Sequence, residues 1–192
     1  MESSWKWRQE KEMRKDIFAV PIFELEVDLN FISVPVKDEE YRPLWESRVP
    51  TSFASRTKIP KGTYQYLSSK IIECLRTLKD PVDKIQIENL WKNKYGLHDF
   101  QGYHTHSHTT WSFIVYEDVV EGKTQFFNPA FSDIQNQSPN GNSLEMPASY
   151  MPCLKSGWMV LFPSWIAHQV LPGNVGTTIS GNVKVYADPH DM

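Results

Sequence analysis

From residue 85 onward the sequence consists of short apolar or alternating segments separated by Gly, Pro and Asn. Alternation of apolar and polar residues is typical of strands with one buried face, and Gly, Pro and Asn are typical of turns. Many short strands joined by turns predict an antiparallel sandwich or barrel. The segments are IQIENLWKN (85–93), YHTHSHTTWSFIVYE (103–117), KTQFFNP (123–129), GWMVLFP (157–163) and VGTTISGNVKVYA (175–187).

The first 84 residues predict structure that supports this β-rich region. Residues 17–29 (IFAVPIFELEVDL) indicate a strand with a proline at its edge. Residues 63–80 show apolar residues at helical spacing and predict a helix capped by Thr63. Residues 35–63 have no clear period and predict an irregular connection. The polar, turn-rich stretch 132–150 predicts a long loop at the rim of a site.

Composition narrows the class of protein. A length of 192 residues predicts a single domain. A formal net charge of -3 disfavours broad nucleic-acid binding. Two cysteines give no disulfide framework. We see neither a signal peptide nor a run long enough to span a membrane, so we expect a cytoplasmic protein with no membrane partner.

Three of the six histidines stand at alternate positions in one predicted strand, at His104, His106 and His108. Alternate residues share a face, so an H-x-H pair can chelate one metal ion. The third side chain would lie about 13 Å from the first, which is too far for the same ion. We therefore expect at most two of them to bind. The alternative is a polar, solvent-facing strand without a metal.

A third ligand is available at His168, which follows the buried segment 157–163 and a short turn. Alone, His168 could equally be a core histidine. Together with an H-x-H pair on another strand, it predicts a three-ligand site. Three protein ligands leave coordination positions open for water, O2 or a cosubstrate, as a catalytic metal requires.

Part of this pattern is similar to the cupins. The segment 157–168 resembles their second motif, with Trp165 where a glycine is usual. Their first motif places a glutamate four or five residues after the histidine pair, where this chain has Thr110 and Trp111. The cupin resemblance therefore covers only one half of the site.

The better match is to the Fe(II)/2-oxoglutarate-dependent oxygenases. Within them the chain resembles the small prolyl-4-hydroxylase-like proteins of phages and marine bacteria, over about residues 88–186. The most specific element is FPSWIAHQVLP (162–172). The other matching motifs are Trp91-Lys92-Asn93, His104-Thr105-His106 with Ser112 and Tyr116 in register, Phe127-Asn128-Pro129 and Ile179-Ser180-Gly181-Asn182.

The resemblance implies a mostly β fold, a double-stranded β-helix (jelly roll, cupin-like) over 85–187 with a supporting N-terminal strand and helix in 1–84. It implies Fe(II) bound by His104, His106 and His168, with His108 at a variable position. The second place of the pair is usually a carboxylate, so His106 is a departure. It further implies 2-oxoglutarate and O2 as cosubstrates, hydroxylation as the reaction, and an oxidoreductase.

A second departure concerns the far carboxylate of 2-oxoglutarate, which the resemblance implies is held by an arginine after the distal histidine. No Lys or Arg lies between Ser156 and Val183. The arginine's place falls on Gly176, Thr177 or Thr178, depending on the alignment. The residues predicted to bind the cosubstrate are Tyr116, Lys123, Thr178 and Lys184.

Several alternatives stay open from sequence. One is a cupin-like three-histidine metalloenzyme without an oxo acid, which the missing arginine favours. Another is a non-catalytic jelly-roll binding module. Three imidazoles also suit Zn, Ni or Cu. We expect a small-molecule or peptidyl substrate and an apolar wall, with the host cytoplasm as location if the protein is viral. The aromatic residues predicted to form that wall are Trp91, Trp111, Phe127 and Trp165.

Overall fold

A computed structural model describes residues 19–44, 49–131 and 147–186. Within these ranges the chain forms eleven β-strands, one α-helix and three short 3-10 helices. The α-helix is α1, Lys61–Leu75. The strands are β1 (Phe23–Glu26), β2 (Arg42–Pro43), β3 (Pro50–Thr51), β4 (Ile85–Tyr95), β5 (Gln101–His104), β6 (Trp111–Tyr116), β7 (Thr124–Phe127), β8 (Ser149–Tyr150), β9 (Trp158–Pro163), β10 (His168–Val170) and β11 (Gly176–Val185).

The strands form two antiparallel sheets. The large sheet has the order β1-β9-β6-β11-β4-β3-β2, and the small sheet has the order β5-β10-β7-β8. From β4 to β7, and again from β8 to β11, the chain crosses from one sheet to the other at each connection. This alternation between two facing sheets defines a double-stranded β-helix, so the predicted mostly β jelly-roll fold is confirmed.

The outer face of the large sheet is covered by α1. Leu67, Ile71 and Leu75 of the helix are fully buried, and they share one apolar cluster with sheet residues such as Phe113 and Ile179. The spacing of the three helical residues puts them on one side of α1, while polar residues face solvent. The helix therefore closes one side of the sheet and leaves the other side for the barrel interior.

The space between the two sheets holds a second apolar cluster. Ile114, Tyr116, Val160 and Phe162 contribute from the large sheet, and Phe126 contributes from the small one. Every residue of β6 is buried, because one face packs towards the helix and the other towards the barrel interior. The predicted strands from residue 85 onward are thus confirmed, with the exception of the histidine segment.

The histidine segment is not one continuous strand, contrary to the prediction for 103–117. Strand β5 ends at His104 and β6 begins only at Trp111. His106 donates its backbone N–H to Ser164 O at 2.9 Å, and His108 adopts a left-handed conformation with φ 63°. The three histidines therefore do not share a strand face. The turn itself separates His108 from the other two.

Two element boundaries in the N-terminal part also differ from prediction. The helix begins after Pro60 and not at Thr63, whose hydroxyl bonds with the backbone of Ser33. It ends at Leu75 and not near residue 80, because the next backbone N–H groups form tighter turn bonds. Residues 17 and 18 of the predicted strand 17–29 lie outside the described residues, and within 19–29 the strand is β1, the part that pairs with β9.

Part of the predicted loop 132–150 lies outside the described residues, at 132–146. Its described end contains β8, which pairs with β7 at the edge of the small sheet. None of the helices in the described ranges has the length and apolar character needed to cross a bilayer.

Candidate metal centre

Three imidazoles converge at one end of the barrel. His104 ends β5, His168 begins β10, and the two residues stand directly opposite each other in the small sheet. His106 reaches them from the turn after β5. One potential ligand atom from each of the three rings lies within 4.8 Å of those of the other two. The structure therefore brings together the three predicted histidines, while His108 is exposed and stands apart.

The position of His168 follows from the local sequence. Strand β9 ends at Pro163, and Ile166 donates its N–H to Pro163 O at 2.9 Å to close a tight turn. The chain then re-enters the small sheet at His168, which also pairs with Phe126 of β7. Only 2% of the His168 side chain is exposed, so its ring is held firmly between strands.

The Nδ1 atom of each ring faces an oxygen acceptor. His104 Nδ1 lies 2.7 Å from Gly102 O, and His168 Nδ1 lies 3.1 Å from Ile166 O. His106 Nδ1 lies 2.6 Å from Asn182 Oδ1. Because these oxygens only accept hydrogen bonds, each Nδ1 carries the proton and each Nε2 keeps its lone pair. This is the tautomer that a metal site with Nε2 ligands requires.

The environment keeps all three rings neutral. Burial lowers the pKa of His104 and of His106 below the ordinary histidine value. Burial, together with repulsion from the other two rings, holds the pKa of His168 well below that value. Among the described residues the cluster includes no carboxylate. Three neutral imidazoles with converging lone pairs fit a divalent transition metal such as Fe(II) or Zn(II).

Two cavities border the histidines. The outer cavity has a volume of about 520 Å³ and opens to solvent. Trp91 forms part of its wall, with its ring centroid 6.0 Å from that of His106. Phe53 and Tyr103 add further aromatic surface. Trp111, predicted for this wall, instead packs beside Phe23 in the cluster beneath α1.

The inner cavity lies behind the histidines, between the two sheets, and its volume is about 10 Å³. That is room for about one water molecule. Its polar lining is uncharged. Asn93 donates to the hydroxyls of Thr178 and Ser180 at 3.4 and 3.2 Å, and Tyr95 donates to Gln101 Oε1 at 3.2 Å.

The predicted cosubstrate residues fall into two groups. Thr178 lines the inner cavity, and Tyr116 lies next to it, fully buried, with its hydroxyl donating to Thr124 Oγ1 at 2.8 Å. The two lysines are paired elsewhere. Lys123 forms an ion pair with Glu121, and Lys184 pairs with Glu88 at 2.6 Å. Among the described residues, neither lysine lines either cavity.

Of the three positions on which the arginine's place falls, Gly176, Thr177 and Thr178, the first is closed to a side chain by the surrounding backbone. Gly176 has φ +126°, a conformation that strains any residue with a side chain. A Cβ atom built there would lie 2.9 Å from both Asp118 O and Asp118 Oδ1. Position 176 therefore cannot hold a side chain without a shift of the 118 turn.

Sequence reasoning missed the residues that orient the ligands and line the inner cavity. Asn182 was visible only as the end of a motif, and its contact to His106 joins residues 76 positions apart. Tyr95 and Gln101 carried no sequence signal. Only the pairing of β4 with β11 and the turn after β4 bring them to the cavity.

The comparisons agree with this site. Residues 89–179 match the family model described as "Putative 2OG-Fe(II) oxygenase". Over these residues, just under half of the chain, it is similar to the 2OG-Fe(II) oxygenases, a class of oxidoreductases that use Fe(II), 2-oxoglutarate and O2. This match favours the oxygenase hypothesis over the cupin-like and non-catalytic alternatives. No curated protein matches the sequence.

Three solved structures are similar to the chain. A Pseudomonas putida prolyl-4-hydroxylase has a TM-score of 0.49 and 14% identity, covering 78% of this chain and 79% of its own. The viral collagen prolyl hydroxylase of Paramecium Bursaria Chlorella virus-1, solved with 2OG, has a TM-score of 0.45 and 14% identity, covering 73% and 80%. A Burkholderia pseudomallei oxidoreductase of the 2OG-Fe(II) oxygenase family has a TM-score of 0.41 and 10% identity. That match covers 65% of this chain and about half, 52%, of the Burkholderia chain.

Proposed function

We propose that this protein binds Fe(II) through the Nε2 atoms of His104, His106 and His168 and hydroxylates a small-molecule or peptidyl substrate. The observation that carries the proposal is the arrangement of the three rings. Each has its Nδ1 proton engaged by an oxygen, and their ligand atoms converge within 4.8 Å. A structural cluster of histidines would have no need for three free, converging lone pairs.

Different residues of the chain have different roles in such a site. The histidines hold the metal and leave its remaining positions open, and a bound iron would supply the O2-activating chemistry of the family. Asn182, Gly102 and Ile166 orient the rings. The barrel wall around His168 excludes water from the buried side, because only 2% of that side chain is exposed.

The outer cavity is the place for the substrate. It opens to solvent, borders His104 and His106, and combines aromatic walls with the polar side chains of Gln101, Ser107 and Asn182. Among the described residues none of its lining side chains is formally charged if the histidines are neutral. We therefore propose that the group presented to the metal is uncharged. A charged substrate group would lose hydration there without gaining a partner.

Anaerobic titration tests the proposal. The purified chain is loaded with Fe(II) without O2, and 2-oxoglutarate is added while the visible spectrum is recorded. Chelation of a 2-oxo acid by Fe(II) is expected to produce a visible charge-transfer band. The same titration with His168→Ala provides the control and should give no band. If the unchanged protein shows no band and gains no thermal stability from the oxo acid, the proposal is wrong.

A further inference from the structure

The inner cavity behind the histidines has a polar but uncharged lining. Apart from the histidines, five of its lining residues carry polar side chains that remain neutral at pH 7: Tyr95, Gln101, Thr124, Thr178 and Ser180. Tyr116 lies beside them and donates to Thr124. Burial raises the pKa of Tyr95 and of Tyr116 far above the ordinary tyrosine value, so both hydroxyls stay protonated. Within the described ranges the cavity has no lysine or arginine in its lining.

Four lysines in or beside the strands around the cavity form ion pairs with acidic side chains. Strand β4 alternates between residues of the barrel interior and lysines on its outer side. Lys92 of that strand pairs with Glu117 at 2.7 Å, and Lys94 pairs with Asp38 at 2.9 Å. Lys123 and Lys184 are likewise paired with glutamates. Among the described residues, an anion placed in the inner cavity would therefore have no positive charge beside it to offset its loss of hydration.

The cavity does offer hydrogen-bond donors. The hydroxyls of Thr178 and Ser180 both accept from Asn93 Nδ2, which leaves their protons available to donate. Such donors suit a carbonyl oxygen. The cavity volume of about 10 Å³ means that a ligand must displace a wall side chain. Gln101 borders both cavities and is partly exposed, so we expect it to be the side chain that moves, with loss of the hydrogen bond from Tyr95.

This inference rests on the proposed function, in which a 2-oxo acid binds to the metal. The uncharged lining then decides which kind of 2-oxo acid the inner cavity can accept. A 2-oxo acid held on the metal by its keto and adjacent carboxylate oxygens extends its far end away from the metal. The outer cavity is the open one and serves the substrate. The inner cavity borders all three histidines, whereas the outer cavity is lined by His104 and His106.

We propose that the inner cavity recognises the far end of the 2-oxo acid through uncharged donors, with Thr178 and Ser180 as the contacting residues. The chain then does not select for a second carboxylate. It binds a 2-oxo acid with an uncharged polar end at least as tightly as 2-oxoglutarate itself.

The test compares two non-reacting probes on the full chain loaded with Zn(II). One is N-oxalylglycine, which carries a far carboxylate like that of 2-oxoglutarate. The other is N-oxalylglycinamide, in which that carboxylate is a neutral amide of nearly the same size. Calorimetric titration gives a dissociation constant for each, independently of any turnover. We expect the amide to bind at least as tightly as the acid. A dissociation constant for the acid several-fold lower than that of the amide overturns the inference.

Variants identify the residues responsible. Thr178→Val keeps the shape of the side chain and removes one donor, so we expect the affinity for the amide probe to fall roughly three- to tenfold. Zn(II) affinity should not change, which shows that the site is still folded. Lys123→Met and Lys184→Met test the predicted lysine anchors. Both should leave the ratio of the two dissociation constants unchanged, and a selective loss of acid binding in either variant overturns the inference.

The outcomes also separate this inference from the proposed function. If Zn(II) binds and neither probe does, the oxo-acid chemistry of the proposed function fails. If both probes bind and the acid is preferred, the proposed function stands and only the uncharged recognition fails.

Discussion

Asn182 joins the metal centre to the large sheet. Its Oδ1 accepts a hydrogen bond from His106 Nδ1 at 2.6 Å and another from Ser112 Oγ at 3.1 Å. The two donors fix the orientation of the amide, and the amide fixes the ring. His106 lies in the turn after β5, where its backbone N–H bonds to Ser164 O, and the contact with Asn182 is the hydrogen bond that orients its ring.

Replacing Asn182 should therefore weaken the metal site without unfolding the protein. Asn182→Ala removes the acceptor behind His106, and we expect the affinity for Zn(II) to fall about 10- to 100-fold. Asn182→Asp is the matched control, because it keeps an oxygen acceptor in the same place and should retain most of the affinity. Competition with a chromophoric chelator measures both. Equal affinities for the alanine variant and the unchanged protein would contradict the role of Asn182.

Substitutions at His106 and His108 test which of these two histidines binds the metal. His106→Ala should abolish tight metal binding, since it removes one of three converging nitrogen atoms. His108 is exposed and left-handed, so His108→Asn is the suitable control, because asparagine tolerates that conformation. It should bind the metal as the unchanged protein does. Loss of metal binding in His108→Asn but not in His106→Ala would show that His108, and not His106, is the ligand.

Burial of three neutral histidines also predicts how stability depends on pH. Their pKa values in the folded apoprotein lie below the ordinary value, so the unfolded chain takes up protons first as pH falls below about 6.5. The free energy of unfolding should be unaffected by this cause above that pH and should decrease below it. Urea unfolding of the metal-free protein from pH 7.5 to 5 measures the trend. In His168→Gln the decrease should be smaller, and a rise in stability on acidification would contradict the prediction.

At the scale of elements, strands were easier to predict than their ends. The alternation in IQIENLWKN and VGTTISGNVKVYA reflects sheet faces that the structure confirms as β4 and β11. The same alternation in YHTHSHTTW came from polar residues, which carry no burial signal, and there the structure has a turn. The helix ends depended on Pro60 and on the contact of Thr63 with Ser33, thirty residues apart, which no local pattern reveals.

The site likewise has a part that the sequence predicts and a part that depends on contacts between distant residues. The chain could be expected to bring His104, His106 and His168 together, because a resemblance supplied the register that periodicity could not. The uncharged inner cavity could not be foreseen, since Lys92 and Lys94 lie one residue from its lining and only the strand's alternation turns them outward.

Helix α1 should contribute to stability and not to the metal site. Ile71 is fully buried against the outer face of the large sheet. Ile71→Ala should lower the free energy of unfolding by about 2–5 kcal/mol through lost burial and a cavity. Glu73→Ala, on the exposed side of the same helix, should change it by no more than about 0.5 kcal/mol. Urea unfolding measures both variants, and Zn(II) affinity should be unchanged in each. A large loss of metal affinity in Ile71→Ala would contradict this separation.

For the whole molecule, the candidate metal centre draws on side chains held by both sheets. His104 and His168 belong to the small sheet, while His106 is held by Asn182 of the large sheet. A metal bound by all three rings bridges the two sheets on the side where they separate to form the outer cavity. A metal that binds the folded chain and not the unfolded chain stabilises the folded chain by mass action, however the sheets are otherwise packed.

Metal should therefore raise the stability of the whole fold. At a free Zn(II) concentration one hundred times the dissociation constant, the free energy of unfolding should increase by about 2.7 kcal/mol if the unfolded chain does not bind. His168→Ala removes a ligand of the small sheet, and the increase should disappear. His108→Asn leaves the three converging rings intact and should keep it. Urea unfolding with and without Zn(II) at pH 7.5 gives all three values. An equal increase in His168→Ala and in the unchanged protein would show that the metal binds elsewhere, because two remaining imidazoles cannot reproduce a three-ligand site.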